Sequence, residues 1–194
     1  MSRIKLFPLN LVSFPTKIVH LHIFEERYKN LIRNCIDHKS EFGIIYKSND
    51  ALAEFGCSMN ITKVVKKYSD GRMDIVTEGK KIFKLNSQLL DGDLLIGDVN
   101  FSKININKSL KNFESIKDKY LKILLMLDIT SNLDTHLKKT TSFELLEGIS
   151  LPAEFELMLI STTAESDRIK ILDGIFNKIL KNQFPIPSGS NFQS

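Results

Sequence analysis

The chain has few of the features on which several functional classes depend. Its 194 residues include only two cysteines, Cys35 and Cys57, and these do not form a CxxC motif. No apolar run approaches the roughly 20 residues that a membrane-spanning helix needs. We therefore expect no disulfide framework and no membrane segment. Sparing use of cysteine is typical of a reducing compartment, so the sequence predicts a protein of the bacterial-type cytoplasm.

Motifs for nucleotide hydrolysis and for peptide cleavage are also missing. A P-loop needs a glycine-rich turn that ends in Gly-Lys-Ser or Gly-Lys-Thr. The one Gly-Lys pair, Gly79-Lys80, is followed by Lys81 and has no upstream glycine at the required spacing. No Gly-x-Ser-x-Gly turn of the kind that carries a hydrolase nucleophile occurs. The sequence therefore predicts no enzyme, no catalytic residues and no cofactor. A hydrolase whose triad is set by geometry alone is the least favoured interpretation.

The four histidines are the remaining candidates for metal binding. His20 and His22 are two residues apart, so on a strand both side chains lie on one face, a geometry that metals accept. No cysteine or further histidine follows at ligand spacing, and transition-metal sites need three or four converging ligands. We therefore expect no metal site. His38 and His136 have polar neighbours in the sequence and are predicted to lie at the surface.

The first half of the chain is dominated by strand patterns around one helix. Tyr28, Leu31, Ile32, Cys35 and Ile36 share one helical face, which predicts a helix over 25–36. Asp70-Gly71 separates two β-prone runs, and glycine can take the positive φ that a tight hairpin turn requires. The turn at 91–93 is of the same kind. Short apolar or β-branched runs predict strands at 6–9, 14–15, 17–23, 42–46, 61–68, 72–77, 82–85 and 94–99. Pro8 and Pro15 are expected at strand ends or edges because proline lacks a donor amide.

The second half has helical periodicity. Apolar residues recur at three- and four-residue steps over 113–127, which predicts one long amphipathic helix. Pro152 fits the first turn of a shorter helix that carries Phe155, Met158 and Leu159. Thr162 and Glu165 have capping-box spacing ahead of a last helix. The segment 132–142 is predicted to be a loop, with a short helix at 143–146. The chain is thus predicted to be α+β, with a β-rich domain at 1–107, a helical domain at 108–181 and a disordered tail at 182–194.

The opening of the chain resembles the amino-terminal domain of Lon protease, the substrate-recruiting module of that ATP-dependent protease. The resemblance depends on the Phe-Pro pairs, on the block Leu21-His22-Ile23-Phe24-Glu25 followed by Arg27-Tyr28, and on Glu78-Gly79 after the hairpin. It implies a PUA-like β pseudobarrel with one inserted helix, followed by a C-terminal helical bundle. It also implies a stand-alone, peptidase S16-related protein without the ATPase and peptidase domains of Lon. Its partners would be exposed or unfolded polypeptide segments.

The block around Phe24 is expected to be structural. Phe24 and Tyr28 are one helical turn apart, so both are predicted to pack the helix onto the barrel as core residues.

A basic hairpin gives the alternative function. Between residues 61 and 84 seven basic residues face three acidic ones, and this excess of four equals the formal net charge of +4 of the whole chain. Such a face could bind RNA, as the PUA-like resemblance also suggests. Lysines on strand edges also prevent edge-to-edge aggregation, which requires no ligand. The candidate RNA-binding residues are Lys63, Lys66, Lys67, Arg72, Lys80, Lys81 and Lys84.

Overall fold

A computed structural model describes residues 2–49, 51–102 and 113–183 of the chain. It divides the chain into two compact units, residues 1–103 and 104–194. The domain boundary predicted at 107 and most of the predicted tail lie outside the described residues. Within the described part, no helix is both long enough and apolar enough to cross a membrane.

The described residues of the first unit form six strands and one helix. Their bounds are β1 Ser2–Leu9, β2 Ile18–Ile23, α1 Glu26–His38, β3 Phe42–Ser48, β4 Ala51–Lys67, β5 Met73–Asp91 and β6 Leu94–Phe101. The strands form one sheet in the order β2-β5-β4-β3-β1-β6, and β5 also pairs with β6. This last pairing closes five strands into a ring, whereas β2, within the part of the chain that the structure describes, pairs with β5 alone. The predicted inserted helix is confirmed by α1.

The helix α1 covers one part of the core of this unit. Leu31, Ile32 and Cys35 are buried on its inner face together with core residues of the strands. Tyr28 is also buried, and its ring stacks on Phe7 of β1 at a centroid distance of 3.9 Å. Each such side chain contributes roughly 1.5–3 kcal/mol when it is fully removed from water. The apolar stripe predicted from the sequence is therefore the face that fixes α1 to the sheet.

Both cysteines are free and buried. Burial raises the pKa of the Cys57 thiol to about 12, so this residue behaves as a small apolar side chain.

Both predicted hairpin turns are confirmed. Gly71 has a φ of +84° and Gly92 a φ of +59°, which are left-handed conformations that suit glycine. Asp70 stabilises its turn because its Oδ1 accepts a hydrogen bond from the Arg72 amide at 3.1 Å, and this bond is the main reason that the pKa of Asp70 is lowered.

Glycine explains why β4 and β5 are longer than predicted. The pattern predicted separate strands over 72–77 and 82–85, but β5 continues through Gly79. A Cβ at Gly79 would lie 2.0 Å from the Phe14 carbonyl oxygen, so glycine permits a close approach of the β1–β2 connection. At Gly56, in the half of β4 that was not predicted, a Cβ would lie 2.5 Å from the Phe83 ring. These glycines mark close packing, and they do not end strands.

The strand predicted around Phe14 and Pro15 is wrong. Phe14 is buried, but residues 10–17 form a connection with Thr16 at a φ of +72°. The Thr16 amide donates to the Gly79 carbonyl at 2.9 Å, which satisfies a backbone group that a strand would otherwise satisfy. Pro8 does lie near a strand end, beyond the last β1 residue that pairs with β6.

The second unit is helical in its described residues. Its elements are α2 Phe113–Met126, α3 Leu133–Leu137, a 3-10 turn Glu144–Leu146, α4 Ala153–Ser161 and α5 Glu165–Leu180. The predicted long helix and the short turn are confirmed, and Pro152 immediately precedes α4. The prediction of a loop over 132–142 is wrong in part, because α3 lies within it. Met158, which was assigned to the apolar face of α4, is 47% exposed.

Glu165 does not form the predicted capping box with Thr162. Its carboxylate instead accepts hydrogen bonds from the Ser142 amide at 2.6 Å and from Arg168 Nη2 at 2.5 Å. Arg168 is fully buried, lies over the Phe143 ring and also donates to the Thr162 carbonyl. This network ties the segment before the 3-10 turn to the first turns of α5. Removing one partner of such a buried pair leaves a buried charge uncompensated.

His136 is buried, so its predicted surface position is wrong. It is only 5% exposed, and its Nδ1 lies 2.7 Å from the Tyr120 hydroxyl. Because that hydroxyl donates to the Glu147 carbonyl at 2.9 Å, Nδ1 of His136 must be the donor to Tyr120. Desolvation, assisted by the nearby Lys139 charge, lowers the pKa of His136. His38, in contrast, is exposed as predicted.

This burial makes the stability of the helical unit depend on pH. Below about pH 6.5 the unfolded chain takes up a proton that folded His136 resists, so stability should fall as the pH decreases from that value. In His136→Asn the amide nitrogen can still donate to Tyr120, but the titrating group is gone. We expect urea midpoints measured between pH 8 and 5 to fall less steeply for this variant than for the wild type. The His38→Asn variant controls for loss of an imidazole elsewhere. Equal slopes in wild type and His136→Asn would contradict the assignment.

Candidate functional site

The outer face of β2, β5 and β4 brings several candidate residues together. On β2, Ile18, His20 and His22 are exposed, whereas Val19 and Ile23 are buried. The register then aligns His22 with Asp74 on β5, and Asp74 with Lys66 on β4. Both predicted candidate histidines therefore lie on one solvent-exposed face. Within residues 2–49, 51–102 and 113–183 no group of three or more potential ligands could hold a metal ion.

Phe24 also lies on this face, so its predicted position in the core is wrong. Its side chain is 60% exposed, whereas that of Tyr28 is 7% exposed. The reason is the backbone at the helix entry, where Glu25 is still extended at φ −72° and ψ 136°. Phe24 thus continues the two-residue alternation of β2, with Ile23 directed inwards and Phe24 outwards. The helical period begins only after Phe24.

Three aromatic side chains form what we call the aromatic face, which consists of His22, Phe24 and Tyr68. The rings of His22 and Phe24 are stacked with centroids 6.1 Å apart, and the Tyr68 ring meets His22 edge-on at 5.9 Å. Asp74 holds two of these rings, because its carboxylate lies 2.5 Å from His22 Nδ1 and accepts the Tyr68 hydroxyl at 2.8 Å. The aromatic face is therefore ordered by hydrogen bonds that do not require a ligand.

These contacts also change proton affinities. The hydrogen bond from His22, followed by that from Tyr68, holds the pKa of Asp74 below its usual range. The same carboxylate raises the pKa of Tyr68 because it accepts the phenolic proton. Asp74 is thus an ionised acceptor that positions both rings at neutral pH.

The seven predicted basic residues do not form one uniform patch. Four of them are ion-paired on the protein itself: Arg72 with Asp70 at 2.6 Å, Lys80 with Glu78 at 2.6 Å, Lys81 with Glu41 at 3.9 Å and Lys84 with Glu54 at 2.7 Å. The other three, Lys63, Lys66 and Lys67, lie at the C-terminal end of β4 and form what we call the lysine row. None of the three has an acidic partner within 4 Å in the part of the chain that the structure describes. Lys66 Nζ lies over the Tyr68 ring at 4.6 Å, which joins the lysine row to the aromatic face.

A cleft with a volume of about 490 Å³ lies between the C-terminal end of α1 and β4. Its lining includes Lys39 and Ser40 from the end of the helix, and Asn60, Thr62 and Lys63 from the strand. Lys39 also makes no ion pair among the described residues. Lys63 is therefore the member of the lysine row that lines this cleft, together with Lys39.

Among the described residues β2 pairs with no strand other than β5, and we call the side of β2 that faces away from β5 its open edge. The Gly79 amide donates to the Lys17 carbonyl at 3.0 Å. This bond determines which residues of β2 direct their backbone groups towards β5. In an antiparallel ladder successive residues alternate in direction, so residues 18, 20 and 22 direct their backbone N–H and C=O groups away from β5. β2 contains neither lysine nor proline, the residues that commonly protect such an edge.

Sequence reasoning identified the histidine pair and the basic hairpin but not the aromatic face or the open edge. The signal for the aromatic face was present in the alternation of Ile18, His20 and His22, which extends to Phe24. Phe24 was instead assigned to the helix that follows. The open edge depends on which strands pair, and local patterns do not encode pairing.

Replacement of Phe24 tests whether it is a surface residue. Phe24→Ala should change the free energy of unfolding by no more than about 0.5 kcal/mol, because an exposed ring has little burial to lose. Tyr28→Ala is the matched variant, and should cost about 3–5 kcal/mol because its ring is packed on Phe7. Urea denaturation followed by circular dichroism measures both. A loss of several kcal/mol in Phe24→Ala would show that the side chain is buried.

Comparison with known proteins assigns the family. Residues 3–173 match the model for the substrate-binding domain of ATP-dependent protease La (LON). Among solved structures, the Lon N-terminal domain protein from Xanthomonas campestris is similar, with a TM-score of 0.73 and 20% sequence identity over 90% of this chain and 98% of that one. The N-terminal domain of Mycobacterium avium complex Lon protease has a TM-score of 0.70 and 13% identity over 91% of this chain and 98% of that one.

At these identities the solved structures show that the fold is shared, and the family model covers most of the chain. The mixed α+β architecture, in which the described residues form a six-stranded sheet and five helices, therefore matches that of Lon N-terminal domains. The chain belongs to the family of Lon substrate-binding domains.

Proposed function

We propose that this protein binds exposed or unfolded polypeptide segments without cleaving them, and that an extended segment pairs with the open edge of β2. The observation that carries the proposal is this edge, with which no other strand of the described residues pairs, on a chain whose family is named for substrate binding. We also infer that the closed ring of strands is a PUA-like pseudobarrel followed by a helical bundle. The pairing of β5 with β6 supports the first part of that inference.

Backbone pairing suits a partner of variable sequence. Ile18 and His22 direct donors and acceptors outwards, and any extended chain carries the complementary groups. A segment added to β2 would therefore gain main-chain hydrogen bonds whatever its side chains are. Recognition of this kind favours unfolded segments, because the backbone of a folded protein is already paired.

Side chains next to the edge favour apolar segments. Ile18 is 52% exposed at the start of β2, and Phe24 is 60% exposed just beyond its end. Cross-strand neighbours on one face of a sheet lie close enough for apolar and aromatic contacts. An added strand would thus cover two exposed apolar side chains, which lie at opposite ends of β2. Affinity should be weak, because a flexible segment loses conformational entropy when it becomes ordered.

The residues do not provide the groups that nucleotide hydrolysis or peptide cleavage requires, which supports a non-catalytic role. The 194 residues contain no P-loop. The one His–Asp pair on the outer face of β2 and β5 uses both carboxylate oxygens of Asp74 to hold His22 and Tyr68. That arrangement positions aromatic rings, and it brings no serine or cysteine side chain into contact with His22 among the described contacts.

Proline at position 18 tests strand addition. Ile18→Pro removes an outward amide and places a ring where a partner strand would lie, and proline is tolerated at the first residue of a strand. Ile18→Ala removes the side chain but keeps the amide. With fluorescently labelled casein as the unfolded probe, we expect Ile18→Pro to bind at least about fivefold more weakly than Ile18→Ala, since an unmade hydrogen bond costs about 1 kcal/mol.

Two controls accompany this comparison. The circular dichroism spectrum and urea midpoint of Ile18→Pro should match those of Ile18→Ala, because the removed amide makes no bond to β5. Binding should also change little between 50 and 200 mM salt. Equal casein affinity in the two variants would rule out pairing at this edge.

A further inference from the structure

We propose that the lysine row and the aromatic face together bind single-stranded RNA. The observation behind the proposal is a juxtaposition that the sequence did not reveal. Lys66 lies over the Tyr68 ring and is aligned with Asp74, whose carboxylate holds both His22 and Tyr68. Lys63 is aligned with Val76 and His20 on the same face, whereas Lys67, at the end of β4, is aligned with the buried Met73.

The charge distribution selects the site within the hairpin. Arg72, Lys80, Lys81 and Lys84 are already neutralised by acidic neighbours. Among the described residues, Lys63, Lys66 and Lys67 make no ion pair within 4 Å, and neither does Lys39, which lines the cleft together with Lys63. A partner that follows these lysines must therefore carry several negative charges in a row. A phosphodiester backbone meets this requirement, and its binding releases counterions.

The aromatic face indicates that the ligand also carries unpaired bases. Phe24 is 60% exposed, so most of its ring surface is accessible for stacking. Asp74 fixes the His22 and Tyr68 rings before any ligand binds, which lowers the ordering cost of binding. Bases stack on such rings only when they are unpaired, because in a duplex their faces are covered by neighbouring bases. Aromatic rings beside unpaired lysines thus favour a single strand over a duplex. An acidic peptide could form ion pairs with the lysines, but it has no bases to stack on the rings.

Charge reversal in two matched sets of lysines tests the proposal. The first variant replaces Lys63, Lys66 and Lys67 by glutamate, and the second replaces Lys80, Lys81 and Lys84 by glutamate. Both change the net charge by the same amount. The probe is a labelled pool of single-stranded RNA of mixed sequence, titrated at 50 and 200 mM salt.

For the wild type, contacts with three phosphates should weaken binding about 20-fold between the two salt concentrations, given a slope of about −0.7 per phosphate for single strands. The first variant should lose at least about tenfold in affinity and most of the salt dependence. The second should lose less than about threefold. Phe24→Ala should weaken binding about tenfold through lost stacking, and Ile18→Pro should leave RNA binding unchanged.

Other outcomes would overturn the proposal. Equal losses in the two lysine variants would mean that RNA responds only to net charge. Unchanged affinity in Phe24→Ala would mean that the rings do not stack on bases, and this result does not depend on whether the triple variants fold. Equal or tighter binding of an RNA duplex would exclude a single-strand site. If Ile18→Pro loses casein binding and the wild type binds no RNA, the RNA proposal is wrong and the polypeptide proposal is supported.

Discussion

The antiparallel pairing of β2 with β5 is the constraint on which both candidate surfaces depend. Its register places His22 opposite Asp74 and so orders the aromatic face. The Gly79–Lys17 hydrogen bond determines which residues of β2 bond to β5 and which direct their backbone groups outwards. A shift by one residue would exchange the buried and exposed side chains of β2 and turn its apolar residues towards water. The absence of a side chain at Gly79 is therefore central to the arrangement, because a Cβ there would collide with the Phe14 carbonyl.

Two surfaces of the first unit differ in the kind of partner that they suit. The β2 edge offers backbone groups, which suit an extended polypeptide of any sequence. The lysine row offers positive charge next to fixed rings, which suits a chain that alternates phosphates with bases. Phe24 lies where the two surfaces meet, because it follows the last residue of β2 and stacks on His22. Ligands at the two surfaces would therefore compete if both contacted Phe24.

Much of the fold could be predicted from the sequence, and the failures have identifiable physical causes. The helix α1 and the turn at Gly71 were predicted because a periodic apolar stripe and an Asp-Gly pair are local signals. Phe24 was predicted to be buried because its four-residue spacing from Tyr28 fits one face of a helix. The helix begins only at Glu26, so Phe24 still follows the alternation of the strand. His136 was placed at the surface because its sequence neighbours are polar, but in the interior its Nδ1 is hydrogen-bonded to the Tyr120 hydroxyl, which in turn donates to the Glu147 carbonyl. The pairing of Lys81 with Glu41 and of Lys84 with Glu54 could not be predicted, since these acids come from elsewhere in the chain.

Amide hydrogen exchange with residue resolution tests the central claim most directly. On addition of excess unlabelled casein, the outward amides of Ile18 and His22 should exchange more slowly, because a new strand would engage them. The amides of Val19 and Leu21, which are directed towards β5, should change much less. This alternation along β2 would be the signature of strand addition. If casein protects only amides of α2 to α5, or protects β2 without alternation, the polypeptide does not pair with this edge.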